Sequence, residues 1–419
     1  MKKILFNQRF VEIVLIIVTG TLMSTPFQIL GIQASILLFS CFVILFGQYI
    51  LFEKFDKKYK FISKTYLGIL FFIPLISAIR SNIVFGQSII NGLTSHLNYY
   101  MYLSSIFFYY YIKIKDPDLN KLKKSVIALG WISFVILFII KILFQDLRIT
   151  IPSYDGITEY TYSVNNISSP FIIWVGFYYL GKYKVTSNTK NLFYFLLFIS
   201  FTIIFYNART FSAMLLIILS IFYFKEINRK TDRFKIGIFI LICTLCFIFL
   251  SVINPLIYEF FENKILLFTD AANVFKGNEV SDFSANARLL QSDLAFSFLK
   301  NNFLFGVGQL KASIKEYYLS EYFYPSDIGL LGVLFNYGLI GLLILSFQIK
   351  IFYNAFKSNF IRNNSFLLGT SYFLFFKYLS SIFTGEFVFG IGFTFLLLSI
   401  IVYGEIVCRK QQEDGSCIS

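Results

Sequence analysis

Charged residues are scarce in this sequence, and their scarcity excludes an ordinary soluble domain. Only 14% of the 419 residues are charged, whereas soluble domains have about 25%. Hydrophobic residues make up 57% of the chain, and the mean hydropathy is +0.70. They form repeated apolar stretches of about 20 residues, the length of a helix that crosses a bilayer. Because these stretches do not alternate apolar and polar residues as barrel strands do, the sequence predicts an all-α polytopic membrane protein.

Cysteine and histidine are also few, which removes several kinds of site. The five cysteines fall mostly in or beside apolar segments, so they predict no disulfide framework. Cys243 and Cys246 form a C-x-x-C pair inside an apolar run, far in sequence from the single histidine, His96. Apolar packing explains these residues better than a metal or redox centre. No other acidic or histidine cluster has the spacing of metal ligands, so neither a metal nor a cofactor is expected.

The apolar runs predict about twelve transmembrane helices in a single integral membrane domain over residues 1–419. These lie at about 10–25, 33–52, 65–79, 97–112, 125–144, 167–181, 191–207, 210–224, 236–253, 327–349, 365–383 and 387–404. The first run follows a basic start but lacks a small-residue cleavage pattern, so we expect it to remain as a helix. Arg80 is expected to break the third helix at its outer end.

The basic residues alternate in a way that predicts the topology. With both termini in the cytoplasm, 26 of the 37 Lys and Arg residues fall in cytoplasmic segments, as the positive-inside rule requires. The net charge of +14 is therefore interpreted as a topology signal that also suits anionic lipid headgroups. It does not indicate nucleic acid. We expect a multi-pass protein of the cytoplasmic membrane.

Residues 255–325 break the pattern, because they contain no apolar window long enough to cross a bilayer. They predict a large extracytoplasmic loop between helices 9 and 10, and a loop of this length is commonly functional. Arg288 opens a predicted amphipathic helix that could lie on the membrane plane. A tyrosine-rich segment follows Gly306 and Gly308. Its rings suit stacking on sugars, but they equally suit an interfacial aromatic belt.

Several charged residues outside the cytoplasmic segments are candidates for a site. The seventh and eighth helices are too short for two full crossings, so the turn that contains Arg209 should lie below the outer surface, where an arginine is costly unless it is paired or hydrated. A snorkelling interfacial arginine is the alternative. Arg80 and Lys377 could equally form structural ion pairs or contact a substrate. Asp327 could be a helix N-cap or a catalytic carboxylate.

Four motifs in this order carry a resemblance to a known family. They are Asn207-Ala208-Arg209-Thr210, Arg288-Leu289, Phe305 to Gly308, and Ser326-Asp327 through Gly341. Their order, with the long loop, resembles the O-antigen ligase and polymerase superfamily. The resemblance implies a GT-C-like fold and inverting, metal-independent transfer of glycans from polyprenyl diphosphate at the outer face of a bacterial cytoplasmic membrane.

One departure from the family favours the repeat-unit polymerase (Wzy-type) branch. The ligases have a His-Asn pair where this chain has Ser326-Asp327. The resemblance then implies that Arg209 and Arg288 bind the diphosphate and that Asp327 is the general base, with Glu386 or a loop carboxylate as alternatives. The expected substrate-binding residues are Arg80, Gly306, Gly308, Ser326 and Lys377.

The partners implied by this resemblance are undecaprenyl-diphosphate-linked repeat units and membrane lipids, and it allows a chain-length regulator and a flippase. Other functions remain open at this point. They are glycan ligation to another acceptor, transport of the lipid-linked unit, and a non-catalytic scaffold. No inverted repeat is visible, which counts against a transporter, and a scaffold would not need buried arginines. Whether the product is O-antigen or capsule also stays open.

Overall fold

The computed structural model describes about half of the chain. The described residues are 28–29, 32–33, 64–96, 119–143, 148–152, 159–163, 169–205, 209–225, 234, 237, 283–311, 314–315, 318–319, 323–385, 397–398 and 400–404. The helices predicted at 10–25 and 97–112 lie outside this part, as do nearly all residues of those at 33–52 and 236–253. The count of twelve therefore stays a prediction.

The described chain is helical apart from two short hairpins. The elements in chain order are β1 (Gln28–Ile29), β2 (Ile32–Gln33), α1 (Lys64–Phe85), α2 (Ile89–Thr94), α3 (Leu119–Leu143), β3 (Arg148–Pro152), β4 (Glu159–Ser163), α4 (Pro170–Thr186), α5 (Thr189–Phe205), α6 (Arg209–Lys225), α7 (Phe283–Asn302), a 3₁₀ turn (Pro325–Ile328), α8 (Gly329–Phe356), α9 (Asn359–Asn363) and α10 (Ser365–Thr384).

Three helical segments of the described part are long and apolar enough to cross a membrane. They are Leu119–Lys141, Pro325–Leu343 and Ser365–Thr384. This supports the predicted class, a helical membrane protein. Helices α5 and α6 have 17 residues each, or about 26 Å at 1.5 Å per residue. They are shorter than the hydrocarbon core of about 30 Å, as the sequence predicted for the pair that flanks Arg209.

The core is centred on α4, which is buried on nearly every side. Twelve of its 17 residues are buried, and it packs against α10 and α5. A Cβ placed on Gly181 would lie 2.6 Å from the Ser365 carbonyl oxygen and 2.7 Å from the Gly369 nitrogen, so α4 and α10 nearly touch. The hydrophobic effect does little to bring helices together in lipid, so their association depends on van der Waals packing, which small residues allow by letting the helices approach closely.

Trp174 joins the two core helices. Its indole N–H donates to Thr370 Oγ1 at 2.9 Å. The ring stacks on Phe366 and Phe373, with centroids 5.8 and 6.5 Å away. A buried tryptophan in an apolar core needs such a partner for its N–H. Ring packing and this hydrogen bond therefore help to hold α4 and α10 together.

Two of the predicted helices are wrong in detail. Arg80 does not break its helix, because α1 continues from Lys64 to Phe85. Arginine favours the helical conformation, and the Arg80 guanidinium bonds to groups outside α1 without leaving it. The helix predicted at about 327–349 begins with a 3₁₀ turn and is interrupted at Gly338, where φ is 61° and ψ is −159°.

The predicted loop between Gln145 and Asn166 contains a hairpin that sequence analysis missed. Strands β3 and β4 are antiparallel, and Ile149 and Ile151 lie opposite Tyr162 and Tyr160. Thr150 pairs with Thr161 in the same register. β-Branched and aromatic residues that alternate with a period of two are a strand signal. The all-α class thus describes the helices but not this connection.

Candidate active site

The break in α8 is filled by a segment of the long loop. Val307 N–H donates to the Phe335 carbonyl at 2.8 Å, and Gly308 N–H donates to the Asn336 carbonyl at 3.0 Å. In return, Leu339 N–H donates to the Phe303 carbonyl at 3.1 Å. Backbone polar groups freed at membrane depth need partners within the protein. We name residues 303–309 and 335–340 the Gly338 junction.

Three glycines make this close pairing possible. Gly306, Gly308 and Gly338 have φ values of 66°, 90° and 61°. A Cβ on Gly306 would lie 2.6 Å from the Phe335 carbonyl oxygen, and one on Gly338 would lie 2.4 Å from the Leu304 carbonyl. The N–H groups of Gly306 and Gly308 donate within the protein. Packing therefore accounts for the two predicted glycines without a ligand, and their contact with substrate stays a prediction.

Arg80 attaches α1 to the loop. Its Nε donates to the Gly306 carbonyl at 3.1 Å, and Nη2 donates to Oδ1 of Asn302, the last residue of α7. These acceptors are neutral. Within the described residues no carboxylate pairs with Arg80, so the ion-pair interpretation has no support here. The positive charge remains beside the junction, and a role in substrate binding remains a prediction.

A polar network around Gln309 was missed by sequence analysis. Gln309 N–H donates to Ser77 Oγ at 2.9 Å, and its side-chain amide donates to the Ser95 carbonyl at 2.7 Å. Its Oε1 accepts from Tyr337 Oη at 2.5 Å, and its carbonyl accepts from Gln87 Nε2 at 3.0 Å. This network joins α1, the segment after α2, the loop and α8. The signal in the sequence is a pair of glutamines in apolar surroundings.

His96 lies beside this network and packs against Tyr337. It is fully buried, its Nδ1 is 2.7 Å from the Gly92 carbonyl oxygen, and its ring centroid is 5.7 Å from that of Tyr337. It follows α2, outside the three candidate membrane spans. Burial lowers the pKa of His96 to about 4. The ring is therefore neutral at physiological pH.

Arg288 has a hydrogen-bond donor that no described residue satisfies. It lies on α7, half-buried, and its Nε is shielded from solvent without a hydrogen-bond partner. Among the residues that the structure describes, no carboxylate pairs with it. A buried donor left without a partner is costly, more so on a charged group. The contacts of the described residues do not explain this arginine, whereas an anionic ligand would.

Asp327 and Ser326 lie in the 3₁₀ turn, and both are exposed. Helix α8 begins at Gly329 with Ile328 as its N-cap and has no side-chain capping bond. The alternative that Asp327 is a plain N-cap is therefore wrong.

The turn is fixed next to the element that carries Arg288. Tyr324 N–H donates to Gln291 Oε1 at 3.2 Å. Gln291 follows Arg288 by three residues on α7, a spacing that puts both residues on one helix face.

The remaining predicted residues are placed less completely. Arg209 is the first residue of α6, but its side chain and residues 206–208 lie outside the described part. The carbonyl of Phe205, just before this turn, accepts from the buried Lys141 Nζ at 2.6 Å. Lys377 is buried in α10, with Nζ 5.8 Å from the Phe373 ring centroid. Glu386 also lies outside the described residues.

The structure thus brings together Arg80, Gly306 and Gly308, and it fixes the Asp327 turn to the Arg288 helix. Within the described residues, no group of three or more His, Cys, Asp or Glu could hold a metal ion.

Comparison with known families gives one match. Residues 194–346 match a family described as O-Antigen ligase. The matched region is 153 of the 419 residues, and it includes Arg209, Arg288, Gly306, Gly308 and Asp327. None of the curated proteins compared with the chain matches it. The central third of this membrane protein is therefore similar to O-antigen ligases, which supports the ligase and polymerase superfamily and glycan transfer in lipopolysaccharide synthesis.

Proposed function

We propose that the protein is a metal-independent glycosyltransferase that polymerises polyprenyl-diphosphate-linked repeat units at the outer face of the cytoplasmic membrane. The observation that carries the proposal is Arg288, a loop arginine whose shielded Nε has no hydrogen-bond partner among the described residues. A diphosphate offers oxygens that an arginine can bind in a bidentate way. The family match over residues 194–346 supports the same class of substrate.

The reaction exchanges one bond at the sugar C1 for another. The hydroxyl oxygen of one repeat unit forms a bond to C1 of the other, on the face opposite the diphosphate. The C1–oxygen bond to the diphosphate breaks, and its electron pair leaves with the polyprenyl diphosphate. Arg288 and Arg209 stabilise this developing negative charge. The carboxylate of Asp327, exposed and without a capping role, takes the proton from the attacking hydroxyl as general base.

The Gly338 junction provides rigidity for this chemistry. It joins the loop to α8, and Arg80 joins the end of α7 to α1. Arg288 is therefore carried by a helix that is anchored at its far end. Two lipid-linked substrates must be held in a reactive geometry, and a fixed helix serves this better than a mobile loop.

The filled helix break also counts against transport. Transporters use discontinuous helices whose freed backbone groups bind substrate or ions. At Gly338 the carbonyls of Phe335 and Asn336 already accept from Val307 and Gly308. The break is thus occupied by the protein's own loop and offers these groups to no substrate.

Glycan ligation to a different acceptor is the second candidate, because the matched family is described as a ligase family. The two functions share the donor and the arginines and differ in the acceptor. Ser326-Asp327 in place of the ligases' His-Asn favours polymerisation. Supplying a second repeat unit or a lipid acceptor separates them.

The test is an assay with the purified protein in lipid vesicles and a polyprenyl-diphosphate-linked repeat unit, with products separated on a gel. We expect a ladder of longer lipid-linked glycans. Arg288→Gln should abolish the ladder, because the variant lacks the charge that binds the diphosphate. Lys300→Gln is the matched control, since Lys300 is exposed on the same helix, and it should leave the ladder unchanged.

Three outcomes contradict the proposal. A normal ladder from Arg288→Gln would remove that residue from catalysis. Transfer only to an added lipid acceptor would favour a ligase. Movement of the intact repeat unit across the vesicle, with no ladder, would favour a transporter.

A further inference from the structure

A polar cavity lies where α4 ends and where α3 and α10 begin. We name it the basal cavity. Its volume is about 200 Å³. The first turn of α3, the last turn of α4 and the start of α10 line it, through Leu119, Asn120, Lys123, Val185, Asn363, Asn364, Ser365 and Phe366. Two candidate membrane spans begin here, at Leu119 and Ser365. The cavity therefore lies at the level where a bilayer changes from headgroups to acyl chains.

Basic residues outnumber acidic ones around the basal cavity, where Asp116 and Asp118 precede Leu119 in the sequence. Lys123 lines it, and Lys121 and Lys124 are its neighbours on α3. Lys184 on α4 and Arg362 on α9 lie within three residues, along the chain, of residues that line the cavity. None of the eight lining residues is acidic. These basic residues belong to the segments that the sequence assigns to the cytoplasm, the side on which anionic lipids attract juxtamembrane lysines.

An exposed apolar stripe on α3 leads away from the cavity. At 3.6 residues per turn, Phe138 lies directly above Asn120 on α3, and Val135 and Ile139 lie on the adjoining face. Phe138 is 42% exposed, Val135 49% and Ile139 46%. In a membrane-spanning helix such a face contacts lipid tails. A basic polar cavity and an apolar stripe on one helix together match the two halves of a phospholipid.

We propose that the basal cavity binds the headgroup of an anionic phospholipid whose acyl chains lie along the α3 stripe. Basic pockets between transmembrane helices at this level recognise such headgroups. Lys123 and the cavity amides would contact the headgroup phosphate. This site is separate from the candidate active site at Arg288 and does not depend on the proposed function.

The test is native mass spectrometry of the purified full-length protein with phosphatidylglycerol or phosphatidylcholine of the same chain length. We expect the protein to retain phosphatidylglycerol in preference. Lys123→Gln should weaken its binding about fivefold, the effect of one basic side chain near an anionic headgroup. Lys190→Gln is the matched control, since Lys190 is exposed at the same end but outside the cavity, and it should change binding less than twofold.

Several results would overturn the site. If Lys123→Gln and Lys190→Gln lost the same amount of phosphatidylglycerol binding, the lipid would be attracted by the overall positive charge and not by the basal cavity. Equal retention of the two lipids would remove the headgroup charge from recognition. Displacement of phosphatidylglycerol by millimolar inorganic phosphate would make a soluble anion the occupant.

The control for folding is thermal unfolding of Lys123→Gln in lipid-free detergent. A curve that matches the wild type would show that a loss of lipid binding is not a loss of fold.

Discussion

The α4–α10 core and the Gly338 junction hold the protein together by different means. In the core, Gly181 and Gly369 let two helices approach until backbones meet, and stacked rings fill the space beside them. In the junction, a loop segment supplies hydrogen bonds that a broken helix cannot make for itself. Because the core depends on the packing of many side chains, we expect single substitutions there to lower stability by small steps. The junction depends on paired backbone groups, so one substitution there should disrupt all of its hydrogen bonds together.

The largest expected effect comes from Gly338→Ala in the junction. The added Cβ would lie 2.4 Å from the Leu304 carbonyl, at a φ of 61° that L-residues avoid. We expect about 3–5 kcal/mol of destabilisation, the range of severe backbone and packing defects. Thermal unfolding in detergent measures it.

Gly86→Ala is the matched control for Gly338→Ala. Gly86 has a similar φ of 69°, but a Cβ there meets nothing within 4 Å. Its cost should be only the left-handed backbone penalty of about 1–2 kcal/mol. Equal losses in the two variants would show that conformation, and not the loop contact, requires glycine at Gly338.

The next effect tests whether Arg80 and Asn302 act together. Arg80→Gln and Asn302→Ala each remove their shared hydrogen bond. We expect the free energy of unfolding to fall less in the double variant than the sum of the two single decreases, with a coupling energy of about 0.5–3 kcal/mol. Ladder formation should fall in each single variant, because the end of α7 that positions Arg288 is loosened. Additive losses would exclude a direct link between α1 and α7.

A core substitution should separate stability from activity. Trp174→Phe removes the hydrogen bond to Thr370 but keeps an aromatic ring. Interhelical hydrogen bonds in membranes contribute about 0.6–2 kcal/mol, so the unfolding temperature should fall modestly. The ladder assay at low temperature should be unchanged, because no residue of the Gly338 junction touches this bond. A shortened or absent ladder would mean that the core and the site are coupled.

The smallest effect is a pH dependence from His96. Its pKa is lowered in the fold to about 4 from an ordinary 6.5, so protons bind the unfolded chain more tightly. Stability is therefore complete above about pH 6.5 and falls as pH drops towards 4. Between pH 7 and 6 the loss should be below about 1 kcal/mol.

The measurement for His96 is the shift in unfolding temperature between pH 7 and 6. His96→Gln, which keeps a donor for the Gly92 carbonyl, serves as the comparison. It should show a smaller shift than the wild type. The same shift in both proteins would place the pH dependence elsewhere.

Local patterns allowed much of the fold to be predicted. The helices predicted at 191–207 and 210–224 are observed as Thr189–Phe205 and Arg209–Lys225, because the length of an apolar run is a local property. The motif order identified the superfamily that the match over residues 194–346 supports. The hairpin at Arg148–Pro152 was missed although its alternation is local, since the segment was interpreted only as a polar loop.

The details of the site could not be predicted from local patterns. Arg80 as a helix breaker was wrong because its partners, Asn302 and Gly306, lie more than 200 residues away. Asp327 as an N-cap was wrong because a 3₁₀ turn precedes α8 and moves the helix start to Gly329. The role of Gln309 was missed because its partners come from three separate segments.

The sequence by itself determined that the chain is a helical membrane protein, since hydropathy and length decide whether a segment enters a bilayer. It also indicated which arginines are hard to explain without an anion. Only the tertiary structure decided that α8 breaks at Gly338 and that the glycine-bearing loop fills the break. It likewise showed that the Nε of Arg288 is shielded from solvent with no hydrogen-bond partner in the part of the chain that the structure describes. Hydrogen bonds between residues far apart in sequence leave no periodic trace, so they become visible only when the chain is folded.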